Sequence, residues 1–113
     1  MELPTGLTHI DYPCPYYAVV FTSVRREVEE DYKATNDLLH GIAKEMDGFL
    51  AMHSLRDGFG ISISYWKDME SIDTWRKQAQ HIVAKERGKN EWYTYYNVRI
   101  CKVEKDYGMR KKE

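Results

Sequence analysis

A chain of 113 residues is long enough for one domain that buries roughly two-thirds of its unfolded surface without a metal or disulfide. Hydrophobic residues at 42% and charged ones at 31% exclude bulk disorder, and no apolar run approaches the roughly 20 residues of a membrane span. The net charge of −1 is mixed along the chain, with no basic stripe for a phosphate backbone, so neither nucleic acid nor membrane is an expected partner.

The opening segment, residues 1–14, lacks a basic stretch leading into an apolar one, so it does not read as a secretion signal. A cytoplasmic location is the default expectation. Pro4, Pro13 and Pro15 suggest an extended arm. Cys14 and Cys101 are far apart, and free thiols are expected rather than a disulfide.

Tyr16 to Val24 is β-branched and aromatic, bounded by proline and by charges, which predicts a strand. From Val28 the period changes. Tyr32, Thr35, Leu39, Ile42, Ala43 and Met46 recur at three and four, predicting an amphipathic helix of about five turns. Glu27, Glu29, Glu30 and Asp31 suit its positive N-terminal end, and Gly48 its stop.

Phe49 to Arg56 and Gly60 to Trp66 read as strands around Asp57-Gly58, a hairpin signal. Met69 to Arg87 predicts a second helix with Ile72, Trp75, Ala79, Ile82 and Val83 on one face. Asp68 or Ser71 would cap it, and Gly88 would end it. Trp92 to Val103 is the last strand.

The order β-α-β-β-α-β predicts a ferredoxin-like α+β domain, an antiparallel four-stranded sheet with both helices on one face. Its expected limits are residues 15–108, after the arm of residues 1–14 and before a polar tail of residues 109–113. In the first strand Tyr17, Val19 and Phe21 oppose Ala18, Val20 and Val24; in the last, Trp92, Tyr96, Val98 and Ile100 oppose Tyr93, Tyr95, Cys101 and Val103. A sheet covered on one face only should have a polar second face. This one does not, so a homodimer that buries the helix-free face is expected.

The run Gly60-Ile61-Ser62-Ile63-Ser64-Tyr65-Trp66, with Trp75, His81, Arg87-Gly88, Glu91-Trp92-Tyr93, Tyr96 and Arg99-Ile100, resembles the antibiotic biosynthesis monooxygenase domain family. The first strand fits the same pattern, so the resemblance spans about Pro15 to Gly108. It implies a dimeric α+β barrel in which two sheets face each other. It also implies one of several activities: oxygenation of a phenol or quinol without a cofactor, haem degradation, or no catalysis. Haem-degrading relatives ligate iron through a histidine further along the second helix. Lys85 and Glu86 stand there instead, which argues against haem.

The candidate site follows from what an anionic aromatic needs: flat apolar walls, a proton acceptor, and donors for negative oxygen. Trp66 and Trp75 read as substrate-binding walls or as core packing. His81 reads as a base or as a surface histidine. Asn97 and Arg99, on one strand face with Tyr93 and Tyr95, read as donors beside substrate-binding phenols or as an interfacial polar network. Asn36 is a weaker candidate. The expected pocket lies between helices and sheet, lined by several of Trp66, Trp75, His81, Asn97 and Arg99. No metal site is expected from His9, His40, His53 and His81, which show no ligand spacing. Two readings stay open: a monooxygenase with no cofactor acting on a small electron-rich aromatic, and a non-catalytic dimeric module binding a small apolar ligand.

Overall fold

A computed structural model of the chain describes Pro4, Leu7 and residues 9–25, 30–85 and 93–111. Glu27, Glu29, Glu86, Gly88 and Trp92 fall outside these residues, as do the side chains of Tyr32, Thr35, Asn36, Ile82, Val83, Lys85 and Tyr93. The elements run β1 (Tyr16–Arg25), α1 (Glu30–Glu45), β2 (Phe49–Asp57), β3 (Phe59–Trp66), α2 (Met69–Lys85) and β4 (Tyr93–Val103). All six expected elements are present, in the expected order and type.

The strands form one antiparallel sheet in the order β2-β3-β1-β4. The first strand of the chain is therefore interior, paired with β3 on one side and β4 on the other. Residues directly opposite across an antiparallel pair share a sheet face. The register aligns Phe49, Trp66, Tyr17 and Lys102 in one such row, and Met52, Ser64, Val19 and Ile100 in another. These rows face the helices. Tyr16, Ala18, Val20 and Thr22 point to the opposite, helix-free face.

The helices pack chiefly over β2 and β3, α1 against the former and α2 against the latter. The core forms beneath them from Ala43, Trp66 and Ile72, with Tyr17, Val19, Met46, Phe49, Met52 and Trp75 around it. Trp66 is fully buried. Phe49 meets it edge-on at 5.4 Å, and Trp75 of α2 stacks on it at 6.1 Å and 21°. The indole Nε1 donates to Ser64 Oγ at 2.9 Å, so burial leaves no unsatisfied donor on this ring.

Sequence chemistry explains the corner where both helices meet the sheet. Asp68 caps α2, its Oδ1 accepting from the Ser71 backbone N–H at 2.8 Å. Ser71 is the third residue inside the helix rather than the cap. Gly48 adopts a φ of 90°, and its carbonyl accepts from the Lys67 N–H at 2.8 Å. Lys67 in turn meets Asp47 at 3.0 Å.

Gly48 and Gly58 both have positive φ, at 90° and 80°, but their surroundings differ. A Cβ at Gly58 would meet open space, whereas one at Gly48 would collide with the side chain of Ser71. Gly58→Ala should therefore cost about 1–2 kcal/mol, the strain of a left-handed residue. Gly48→Ala should cost measurably more, because Ser71 cannot withdraw without disturbing the start of α2. Urea unfolding of both variants checks the difference.

Candidate functional site

The register divides the predicted site residues between the two sheet faces. Trp66 and Trp75 come together on the helix side, where they are packed on each other inside the core. His81 lies on α2, exposed. Asn97 and Arg99 pair with Thr22 and Val20, and so belong to the helix-free face with Tyr95. The anticipated enclosure of Trp66, Trp75, Asn97 and Arg99 in one pocket does not form within one chain, since the sheet stands between them. Alternation alone places Asn97 and Arg99 on one face but does not say which face the helices cover.

On the helix-free face, Tyr95 and Arg99 are exposed and Asn97 is half-buried. Asn97 Oδ1 is buried without a hydrogen-bond partner among the described residues. Further along the same face the aromatic rings form a ladder. Tyr65 meets Tyr16 edge-on at 6.0 Å and His53 at 5.4 Å. The tail returns here, and the Tyr16 hydroxyl donates to the Asp106 carboxylate. Tyr16 is only 2% exposed, so this stretch of the face is shielded by the chain itself.

On the helix side, no described helix packs substantially over the sheet margin near β4. Tyr96, Val98 and Ile100 are exposed there, and Tyr96 stacks on Phe21 of β1 at 5.8 Å and 29°. These residues make an apolar shelf beside the core. At its end the register aligns Arg56, Gly60, Ser23 and Tyr96 across all four strands. The Arg56 side chain crosses over Gly60 and donates from its terminal N–H to Ser23 Oγ at 2.7 Å. A Cβ at Gly60 would collide with that guanidinium.

Sequence reasoning missed this constellation. The signal was present, since Tyr96, Val98 and Ile100 share the alternation of Tyr17, Val19 and Phe21. What it lacked was the lateral placement of the helices, which leaves β4 uncovered. Elsewhere, an open groove of ≈ 780 Å³ lies at the other end of the sheet, between the arm at Tyr12 and Cys14 and the tail at Lys105 and Tyr107. Among the described residues no cluster of three or more His, Cys, Asp or Glu could hold a metal ion. No helix of these residues is long and apolar enough to cross a membrane.

The family model for antibiotic biosynthesis monooxygenases (ABM) matches residues 15–87. The chain belongs to this family. It is 43% identical over 93 residues to the uncharacterised protein YqjZ of Bacillus subtilis, covering 80% of this chain and 82% of that one. It is also 30% identical over 92 residues to a jasmonate monooxygenase of Pyricularia oryzae, covering 77% of this chain but only 43% of the length of that relative. Among solved structures, SnoaB, a cofactor-independent oxygenase from Streptomyces nogalater, superposes with a TM-score of 0.63 at 9% identity, over 87% of this chain and 100% of SnoaB. A protein from Shewanella oneidensis gives 0.65 at 12% identity, over 79% and 91%. At such identities the structural likeness shows the fold alone, and family membership rests on the family model and the Bacillus subtilis relative.

Burial, then the hydrogen bond and charge of Asp106, push the Tyr16 phenol above its ordinary range; burial does the same to Tyr65. The folded chain thus holds the Tyr16 proton more tightly than the unfolded chain does. That contribution to stability is whole below about pH 10, the ordinary phenol value, and is lost as pH rises beyond it. Replacing Asp106 by Asn should bring Tyr16 ionisation to lower pH and make the alkaline loss of stability shallower. Phenolate absorbance during alkaline titration, with urea unfolding across the same range, checks both.

Proposed function

We propose that this ABM-family chain is a monooxygenase that needs no cofactor and acts on a small electron-rich aromatic of phenol or quinol type. The observation that carries the reading is the open aromatic shelf of Phe21 and Tyr96, continued by Val98 and Ile100, on the helix side of an ABM fold. Flat apolar walls suit a ring-shaped substrate. Such a substrate supplies the electrons itself: once deprotonated, the phenolate reduces dioxygen, and the protein holds it, accepts its proton and stabilises negative charge on oxygen. His81, exposed on α2, is the candidate base of the helix side.

The same reading includes a homodimer formed through the helix-free face. The exposed Ile61, Val24 and Tyr95 on that face support it. In a dimer of this kind Asn97 and Arg99 would lie at the interface, as a polar network rather than as substrate donors. One observation favours the alternative of a non-catalytic module that binds a small apolar ligand: Trp66 and Trp75, the largest flat side chains of the helix side, are committed to the core.

Oxygen uptake by metal-stripped protein across a panel of naphthols and quinols separates the two. Substrate-dependent uptake that persists with a chelator is the expected result. Phe21→Ala and Tyr96→Ala should each lower kcat/KM by roughly tenfold, the scale of one lost aromatic contact. His81→Ala should lower kcat more than it raises KM. Uptake on no member of the panel, with the same compounds still binding, leaves the module. Equilibrium sedimentation, with a dimer expected at micromolar concentration, tests the assembly separately.

A further inference from the structure

The shelf has a polar end that oxygenation of a neutral phenol does not use. Arginine side chains on strand surfaces ordinarily sample many rotamers in water, but the exposed Arg56 is tied back to the sheet by a hydrogen bond. Its terminal N–H is bonded to Ser23, a residue only 1% exposed, and its path over β3 exists because Gly60 has no side chain. No carboxylate of the described residues lies within 4.0 Å of the guanidinium. One of its N–H groups is committed to Ser23, and the planar fork keeps others for a ligand. Tyr96 stands beside Ser23 in the same row, and Phe21 stands two residues further along β1, stacked on Tyr96. A tethered cation therefore adjoins an aromatic pair whose outer member, Tyr96, is exposed.

We propose that this shelf selects small organic acids: a carboxylate held by Arg56, with a single flat ring body lying on Phe21 and Tyr96. This rests on the reading of the helix-side shelf as the ligand surface, and it names the class of ligand that surface takes. A guanidinium fork matches the two oxygens of a carboxylate, which a neutral phenol or amide cannot replace. If Arg56 served only the Ser23 hydroxyl, a short polar side chain or a water would satisfy the same group. The strand-crossing arginine and the glycine beneath it would then have no further role.

Binding of naphthoate, naphthamide and naphthol to the full chain, followed by calorimetry and by backbone amide shifts, tests the proposal. Naphthoate should bind at least tenfold more tightly than naphthamide, with shifts at Ser23, Gly60 and Tyr96, and the preference should shrink as salt is raised. Arg56→Gln should abolish the preference by weakening naphthoate at least tenfold more than naphthamide. Gly60→Ala keeps the arginine but displaces its guanidinium, and should reduce the preference with circular dichroism unaltered. If Arg56→Gln does not fold, Gly60→Ala decides by the same comparison. Equal binding of acid and amide, no binding of either, or a preference that survives the substitution overturns it. The outcome is independent of turnover. Selective acid binding without oxygen uptake removes the monooxygenase reading alone, and oxidation of neutral naphthols without acid preference removes this one alone.

Discussion

The interior position of β1 is the constraint on which everything else depends. Because it pairs with β3 and β4 at once, a single alternation of side chains fixes the facing of three strands. A slip of one residue would send Tyr17, Val19 and Phe21 to the helix-free face and put Tyr16 and Ala18 under the helices. The core tolerates no such slip, since Trp66 lies directly opposite Tyr17 and fills the space beneath α2. Register therefore decides both what is core and what can meet a ligand.

Within that frame, Trp66 belongs to structure. It touches Phe49 and Trp75, bonds Ser64 and has no exposed surface. Opening it to a ligand would break the stack with α2 and strand an indole N–H. The aromatic groups able to meet a second molecule lie nearer the sheet edge, where the helices do not reach. There the same strands that build the core continue outward as Phe21, Tyr96, Val98 and Ile100. Buried and exposed apolar side chains share one face and differ in their distance from α1 and α2.

Most of the architecture was legible in the sequence because it rests on periodicity and punctuation. Leu39, Ile42, Ala43 and Met46 recur as a helix must, Asp57-Gly58 marks a hairpin, and the facing of β1 and β4 follows from counting by two. The site was less legible. Asn97 and Arg99 were correctly grouped with Tyr95, but their separation from Trp66 depends on strand order and on which face the helices cover. Both are long-range properties. The Arg56–Ser23 bond spans two strands and passes over a third, so no local pattern announces it. Gly60 looked like one end of a hairpin, and its importance lies in what passes above it.

The family model matches residues 15–87, which end before β4 begins. Phe21, Ser23, Arg56 and Gly60 sit inside that span, whereas Tyr96, Val98 and Ile100 sit outside it. The shelf thus joins β1 to an edge strand paired along one side only, by backbone hydrogen bonds and by the Phe21–Tyr96 stack. Those bonds are indifferent to side-chain identity. A domain built this way can accept a new side chain on the exposed surface of one edge strand without disturbing the core packed between β2, β3 and the helices.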